Sequence, residues 1–172
     1  MARLDWDAPF SHSRFLLCEA VLSRTGDDCL LFLVERRVVA ERASLTIGSA
    51  TISDLSVVGE APDALRWLVY WRNAPAFKSA SESYNFTPST GAVVGPPSRC
   101  YRLDESPWLA EMKVGDLLDC LSPNCHHFSV ITDHKIIDVL SPREPHVEVL
   151  SDDDDLVTLL SRQPYDKDEQ SS

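Results

Sequence analysis

No apolar run in this chain approaches the roughly 18 residues that a membrane-crossing helix requires, so no such helix is expected. Residues 1–7 (MARLDWD) lack a basic head followed by an apolar stretch, and no secretory signal is read there. Phosphate cradles are missing: neither GxxxxGK[ST] nor GxGxxG occurs, and only six glycines are present. There is no GxSxG to seat a serine nucleophile. No second CxxC or HxxxH arm exists to complete a zinc site, and no internal repeat is visible. The longest basic cluster is Arg36-Arg37 with Arg42, too little for a nucleic-acid surface.

What is present is acid. The chain has 172 residues, with 27 Asp+Glu against 16 Lys+Arg and a net charge of −11. Apolar residues make up 44% and charged residues 25%, the balance of a globular domain rather than a disordered chain. Such charge argues against nonspecific association with nucleic acid or with anionic membranes. Residues 1–162 are expected to form one domain, with a possible seam near 87–98 and a flexible acidic tail over 163–172. Five cysteines are an odd number, so a fully paired disulfide framework is impossible. Reduced thiols and a cytoplasmic setting are expected.

The segments 14–22 and 29–39 are rich in apolar and β-branched residues, and the turn signal Arg24-Thr25-Gly26-Asp27-Asp28 lies between them. Residues 45–58 predict one or two further strands, interrupted by Gly48 and Asp54. Across 65–72, Leu65, Trp67, Val69 and Trp71 occupy one parity and Arg66, Leu68, Tyr70 and Arg72 the other. That alternation predicts a strand with one buried and one partly wet face. Residues 77–86 and 100–103 can each add a strand. Ser106 and Pro107 open a short helix over 106–113, as N-cap and first helical residue. Residues 127–131 and 135–140 flank Thr132-Asp133-His134 as a hairpin, and 146–150 alternates as a last strand. Ser151 with Asp154 opens a second helix in capping-box style, and Pro164 stops it. The fold class expected is α+β: mostly antiparallel sheet with two short helices.

Three constellations are candidates for function. Cys120, Cys125, His126, His127 and His134 offer thiol and imidazole groups for metal binding or for a Cys/His nucleophile. The ligand set is incomplete for zinc, and adjacent histidines point to opposite faces of a strand. No metal or other cofactor is therefore expected. The run Asp152, Asp153, Asp154 and Asp155 offers an anionic patch, although acids in a first helical turn also complement the helix dipole. Residues 148–172 carry eight acids and two bases, more than half of the chain's excess. Around Trp67 and Trp71, Tyr70 and Arg72 are the expected exposed members of an aromatic and arginine group of the kind enriched at interfaces.

The segments Glu105-Ser106-Pro107-Trp108-Leu109, His126-His127-Phe128-Ser129-Val130-Ile131 and Ile136-Ile137-Asp138-Val139-Leu140 resemble small acidic bacterial immunity proteins of toxin systems. The resemblance covers residues 105–150, contains no diagnostic motif and carries over no functional residue. It implies a non-catalytic inhibitor that occludes the active site of a cognate basic toxin or effector, contacting neither nucleic acid nor membrane. The expected contact residues, read from the constellations above, are Tyr70, Arg72 and Asp152 to Asp155. Two alternatives stand beside it. One is a metal- or thiol-dependent enzyme centred on Cys120, Cys125, His127 and His134; the other is an adaptor subunit of a larger assembly.

Overall fold

A computed structural model describes residues 10, 13–24, 28–81, 100–103, 105–114, 124–151 and 154. The described strands are β1 (Phe15–Arg24), β2 (Asp28–Ile47), β3 (Ala50–Gly59), β4 (Arg66–Trp71) and β5 (Ala76–Ser81). They continue with β6 (Cys100–Leu103), β7 (His126–Ile131), β8 (Lys135–Ser141) and β9 (His146–Leu150), and α1 (Pro107–Val114) lies between β6 and β7. The expectation of an α+β fold with two helices is corrected here. The described chain is essentially all-β, in two antiparallel sheets with one short helix. β-Branched and aromatic residues in period-2 alternation dominate it, and only Ser106-Pro107 starts a helical turn. The second expected helix, the seam near 87–98 and the tail at 163–172 lie outside the described residues. Among the described residues no helix is long and apolar enough to cross a membrane.

The larger sheet runs β1-β2-β4-β9, with β3 paired to the far half of β2; the smaller runs β5-β8-β7-β6. The two sheets share a bent ribbon. Tyr70 pairs with His146 in one sheet and Ala76 with Leu140 in the other, with five residues between on each strand (71–75 and 141–145). The register is therefore continuous, and β4–β5 and β8–β9 are one long antiparallel pair folded at a corner. Pro75, Pro142 and Pro145 occupy that corner and cannot donate to a ladder. Asn73, at φ 52°, turns one chain through it. The fully buried Ser141 hydroxyl, 2.9 Å from the Arg143 carbonyl and 3.2 Å from the Arg143 amide, stabilises the other.

Between the sheets lies the main core, to which Leu16, Leu31, Leu33, Trp67, Val69 and Trp71 contribute from one side and Phe128, Val130, Ile137 and Val139 from the other. Trp71 and Phe128 meet at 6.0 Å between ring centroids, bridging the sheets. Each fully buried side chain of this size contributes about 1.5–3 kcal/mol. A second cluster, Leu30, Phe32, Leu68 and Tyr70, occupies the opposite face of the larger sheet. Strand β4 is central and buried on both faces, which corrects the expectation that its Tyr70 parity is partly wet. The side chains of Cys18, Cys29, Cys100 and Cys125 are buried. Burial pushes the thiol of Cys18 up to about 11 and that of Cys29 to about 12.

Strand β2 outruns its neighbours. Its pairing with β4 ends at Val34 and with β1 at Arg36. Beyond that, residues 37–47 pair only with β3, forming a two-stranded arm about 35 Å long at the usual rise per residue. Gly48, at φ 62°, with Ser49 makes the two-residue turn at its end, a geometry that glycine adopts without strain. A bulge near Asp54, itself at φ 61°, shifts the register between Ala43↔Leu55 and Leu45↔Ile52. Arg42 holds that bulge, reaching Ser56 Oγ at 2.7 Å and Asp54 Oδ1 at 3.7 Å.

Candidate functional site

The outer face of the smaller sheet carries the densest group of ionisable side chains. Register places Tyr101, Ser129, Asp138 and Lys78 in one row across β6, β7, β8 and β5. His127 stands in the next row, opposite Leu140. Its Nε2 lies 3.1 Å from Asp138 Oδ1, while Lys78 Nζ lies 3.7 Å from Asp138 Oδ2. The 3.1 Å separation is of hydrogen-bond length, but the approach is not in line with the ring N–H. Both ring nitrogens are therefore buried without an aligned partner.

Helix α1 lies over this row, and its start is well determined. Ser106 Oγ accepts from Leu109 N at 3.0 Å, its carbonyl accepts from Ala110 N at 2.9 Å, and Pro107 fills the first helical position. The helix lays Leu109 against Cys125 and Leu140, with Trp108 and Met112 flanking them. Trp108 meets His127 edge-on at 5.3 Å between ring centroids and accepts Lys78 Nζ over its face at 4.4 Å. His127 and Asp138 are each 6% exposed and Ser129 4%. Burial by itself would raise the Asp138 carboxyl. The facing His127 ring, a hydrogen bond from Ser129 and the charge of Lys78 outweigh it and hold the group below the usual carboxylate range.

The expected Cys/His centre is only partly assembled. Cys125 and His127 share the face beneath α1, and His126 faces the other way against Phe128 and Arg102. His134 is exposed in the β7–β8 turn, beyond the far end of β7 from His127. Cys120 lies outside the described residues. Among those residues no group of three or more His, Cys, Asp or Glu side chains is placed to hold a metal ion. An imidazole beside a carboxylate is the pair a general base uses, but here Trp108 covers it.

Of the expected binding residues, Tyr70, Arg72 and Asp154 are among the described ones. Tyr70, expected to be exposed, is instead 5% exposed, because the second core cluster closes over its face; its hydroxyl donates to Asp28 Oδ2 at 2.6 Å. Arg72 is exposed beyond the end of β4. Asp154 lies past Leu150, whose partner is Arg66 at the other end of that strand, about 13 Å from Tyr70. Asp154 Oδ2 accepts from Ser151 N at 2.9 Å and Ser151 Oγ at 2.7 Å, the back-reaching half of the expected capping box. Asp152, Asp153 and Asp155 lie outside the described residues.

A feature not singled out from the sequence is the surface of the arm. Leu45, Ile47 and Ile52 are 48%, 66% and 52% exposed. The root of the arm is pinned: Arg37 pairs with Glu35 Oε2 at 2.7 Å and Asp63 Oδ2 at 3.2 Å, Arg36 donates to the Val58 carbonyl, and Glu35 N donates to the Leu65 carbonyl at 2.8 Å. Alternation on both sides of Gly48-Ser49 is the sequence signal for this hairpin. Nothing in the sequence marks where β2 outruns its neighbours. Comparison with family models, with curated proteins and with solved structures finds no match to this chain, and its functional interpretation rests on its own geometry.

Proposed function

We propose that this chain is a non-catalytic binding protein that engages a basic protein partner and blocks its working surface. The observation that carries the proposal is the placement of the reactive side chains. His127, Asp138 and Cys125 lie beneath α1, held by one another or by apolar neighbours, while the chain as a whole keeps an excess charge of −11. Excess surface charge of one sign accelerates encounter with a partner of the opposite sign and selects against partners of like sign. The resemblance of residues 105–150 to immunity proteins supports the same conclusion. The contacts that hold the partner need not be the Tyr70 and Asp152 to Asp155 set, since Tyr70 is buried.

The test is co-expression and co-purification with the product of the adjacent gene. A complex whose association slows as salt rises is expected. Absence of any complex at low salt, with no protection in co-expression, would overturn the proposal. His127→Gln separates it from the enzyme alternative. Partner binding should persist in that variant, and a turnover lost with the fold intact would favour chemistry instead.

A further inference from the structure

His126 and His127 are neighbours in sequence but face opposite sides of β7, so each meets a different charge. His127 stands beside the Asp138 carboxylate. His126 lies on the face of Phe128, 6.3 Å away between ring centroids, and there it meets a cation. Arg102, opposite Phe128 in the β6–β7 ladder, uses both ends of its guanidinium. Its Nη1 lies 3.1 Å from Glu144 Oε1 in the corner, and its Nη2 lies 3.2 Å from His126 Nε2. The short edge strand β6, strand β7 and the corner between β8 and β9 are joined through these three side chains.

A guanidinium keeps its protons at every pH a protein meets and has no lone pair with which to accept. The ring atom that faces it must supply the lone pair, which makes His126 a neutral imidazole with its proton on Nδ1. A second proton lands on Nε2. It replaces the acceptor by a donor and sets an imidazolium against the guanidinium. We infer that Arg102, His126 and Glu144 form a proton-sensitive clasp between β6, β7 and the corner, closed only while His126 is neutral. The order of the groups decides this. Beneath α1 the carboxylate of Asp138 lies between imidazole and ammonium, so positive charge on the His127 ring meets an anion. In the clasp the guanidinium lies between imidazole and carboxylate, so positive charge on the His126 ring meets a cation. The charged groups that described elements bring to His126 are Arg102 from β6 and Glu144 from the corner, where Arg143 and His146 are exposed. The side chains of Arg102 and Glu144 are 27% and 46% exposed, so the pair can swing into water when the ring repels it. Edge strand β6, four residues long, then loses its clasp to the corner.

Amide hydrogen exchange of the full chain from about pH 8 to about pH 5 tests this, read as protection factors so that the intrinsic pH dependence of exchange cancels. The expected result on acidification is a loss of protection of about tenfold over 100–103 and 142–146, while β2 and β4 keep theirs. His126→Gln keeps an acceptor for Arg102 but takes up no proton, and protection over the same residues should then not respond to pH. The ring nitrogen shifts of His126 in the unaltered chain give a second readout that needs no substitution. A proton on Nδ1 and a bare Nε2 are expected at the upper end of the range. A proton on Nε2 in the neutral ring would overturn the inference. So would a wild-type chain with no local response, or a response of equal size in His126→Gln. The binding of a basic partner is a separate measurement, and none of these outcomes bears on it.

Discussion

Strand β2 is two structures in one. Cys29, Leu30, Leu31, Phe32, Leu33 and Val34 are all at most 3% exposed, whereas Val38, Leu45 and Ile47 farther along the strand are 53%, 48% and 66% exposed. Both halves are rich in apolar and β-branched residues. The difference lies in their neighbours. The first half has β1 on one edge and β4 on the other, with the smaller sheet packed across its face. The second half has only β3. Apolar content therefore makes a strand, but a second edge and a covering layer make a core.

The largest expected effect separates the two halves directly. Leu31→Ala and Trp71→Ala should each destabilise the fold by about 3–5 kcal/mol in chemical denaturation, because each opens a cavity in the shared core. Ile47→Ala in dilute protein should stay within about 0.5 kcal/mol, as expected of exposed positions. Similar losses for Leu31→Ala and Ile47→Ala would erase the contrast between body and arm.

Next comes the covered polar row. Asp138→Ala removes the common partner of His127 and Lys78 and should cost about 3 kcal/mol, the low end for breaking a buried pair because Lys78 reaches solvent. The same carboxylate predicts a pH dependence. Its folded pKa lies below its unfolded one, so its contribution is complete above about pH 4 and is lost as pH falls through the folded value. Stability measured from pH 5 downward should fall more steeply in the wild type than in Asp138→Asn. Parallel curves would mean that the row does not couple to folding.

A smaller effect belongs to the arm. Gly48→Ala meets no atom within 4 Å, so its cost of about 1 kcal/mol comes from backbone strain at positive φ alone. Because the arm has few links to the core, that loss should appear as faster amide exchange over 43–53 rather than as a lower global midpoint. Uniform loss of protection across the whole molecule would show instead that arm and body unfold as one.

Much of the fold was legible at the level of single elements. The alternation at 65–72 marked β4, Ser106-Pro107 marked the start of α1, and Thr132-Asp133-His134 marked the β7–β8 turn. Gly48 and Asp54, read as interruptions, are the two positive-φ residues of the arm. What escaped were relations between elements distant in sequence. Tyr70 looked half-wet because alternation reports two faces without saying how many layers cover them. The β7–β8 hairpin was visible, but the row joining Asp138 to Lys78 depends on β5, more than fifty residues away in the chain. The class was misjudged because short helical signals were given the weight of a layer, while the described chain has one short helix and is dominated by strands.

The amino-acid order by itself determined where this chain extends, where it turns and how much negative charge it carries, because φ/ψ preference, period-2 alternation and ionisable groups are local properties. Only the tertiary structure decided that β4–β5 and β8–β9 fold together at a corner, that an imidazole, a carboxylate and an ammonium meet beneath Trp108, and that half of β2 stands clear of the core. Those outcomes depend on which edges and faces find partners across long loops, and that choice is made by the burial of the whole apolar surface at once rather than by any one segment.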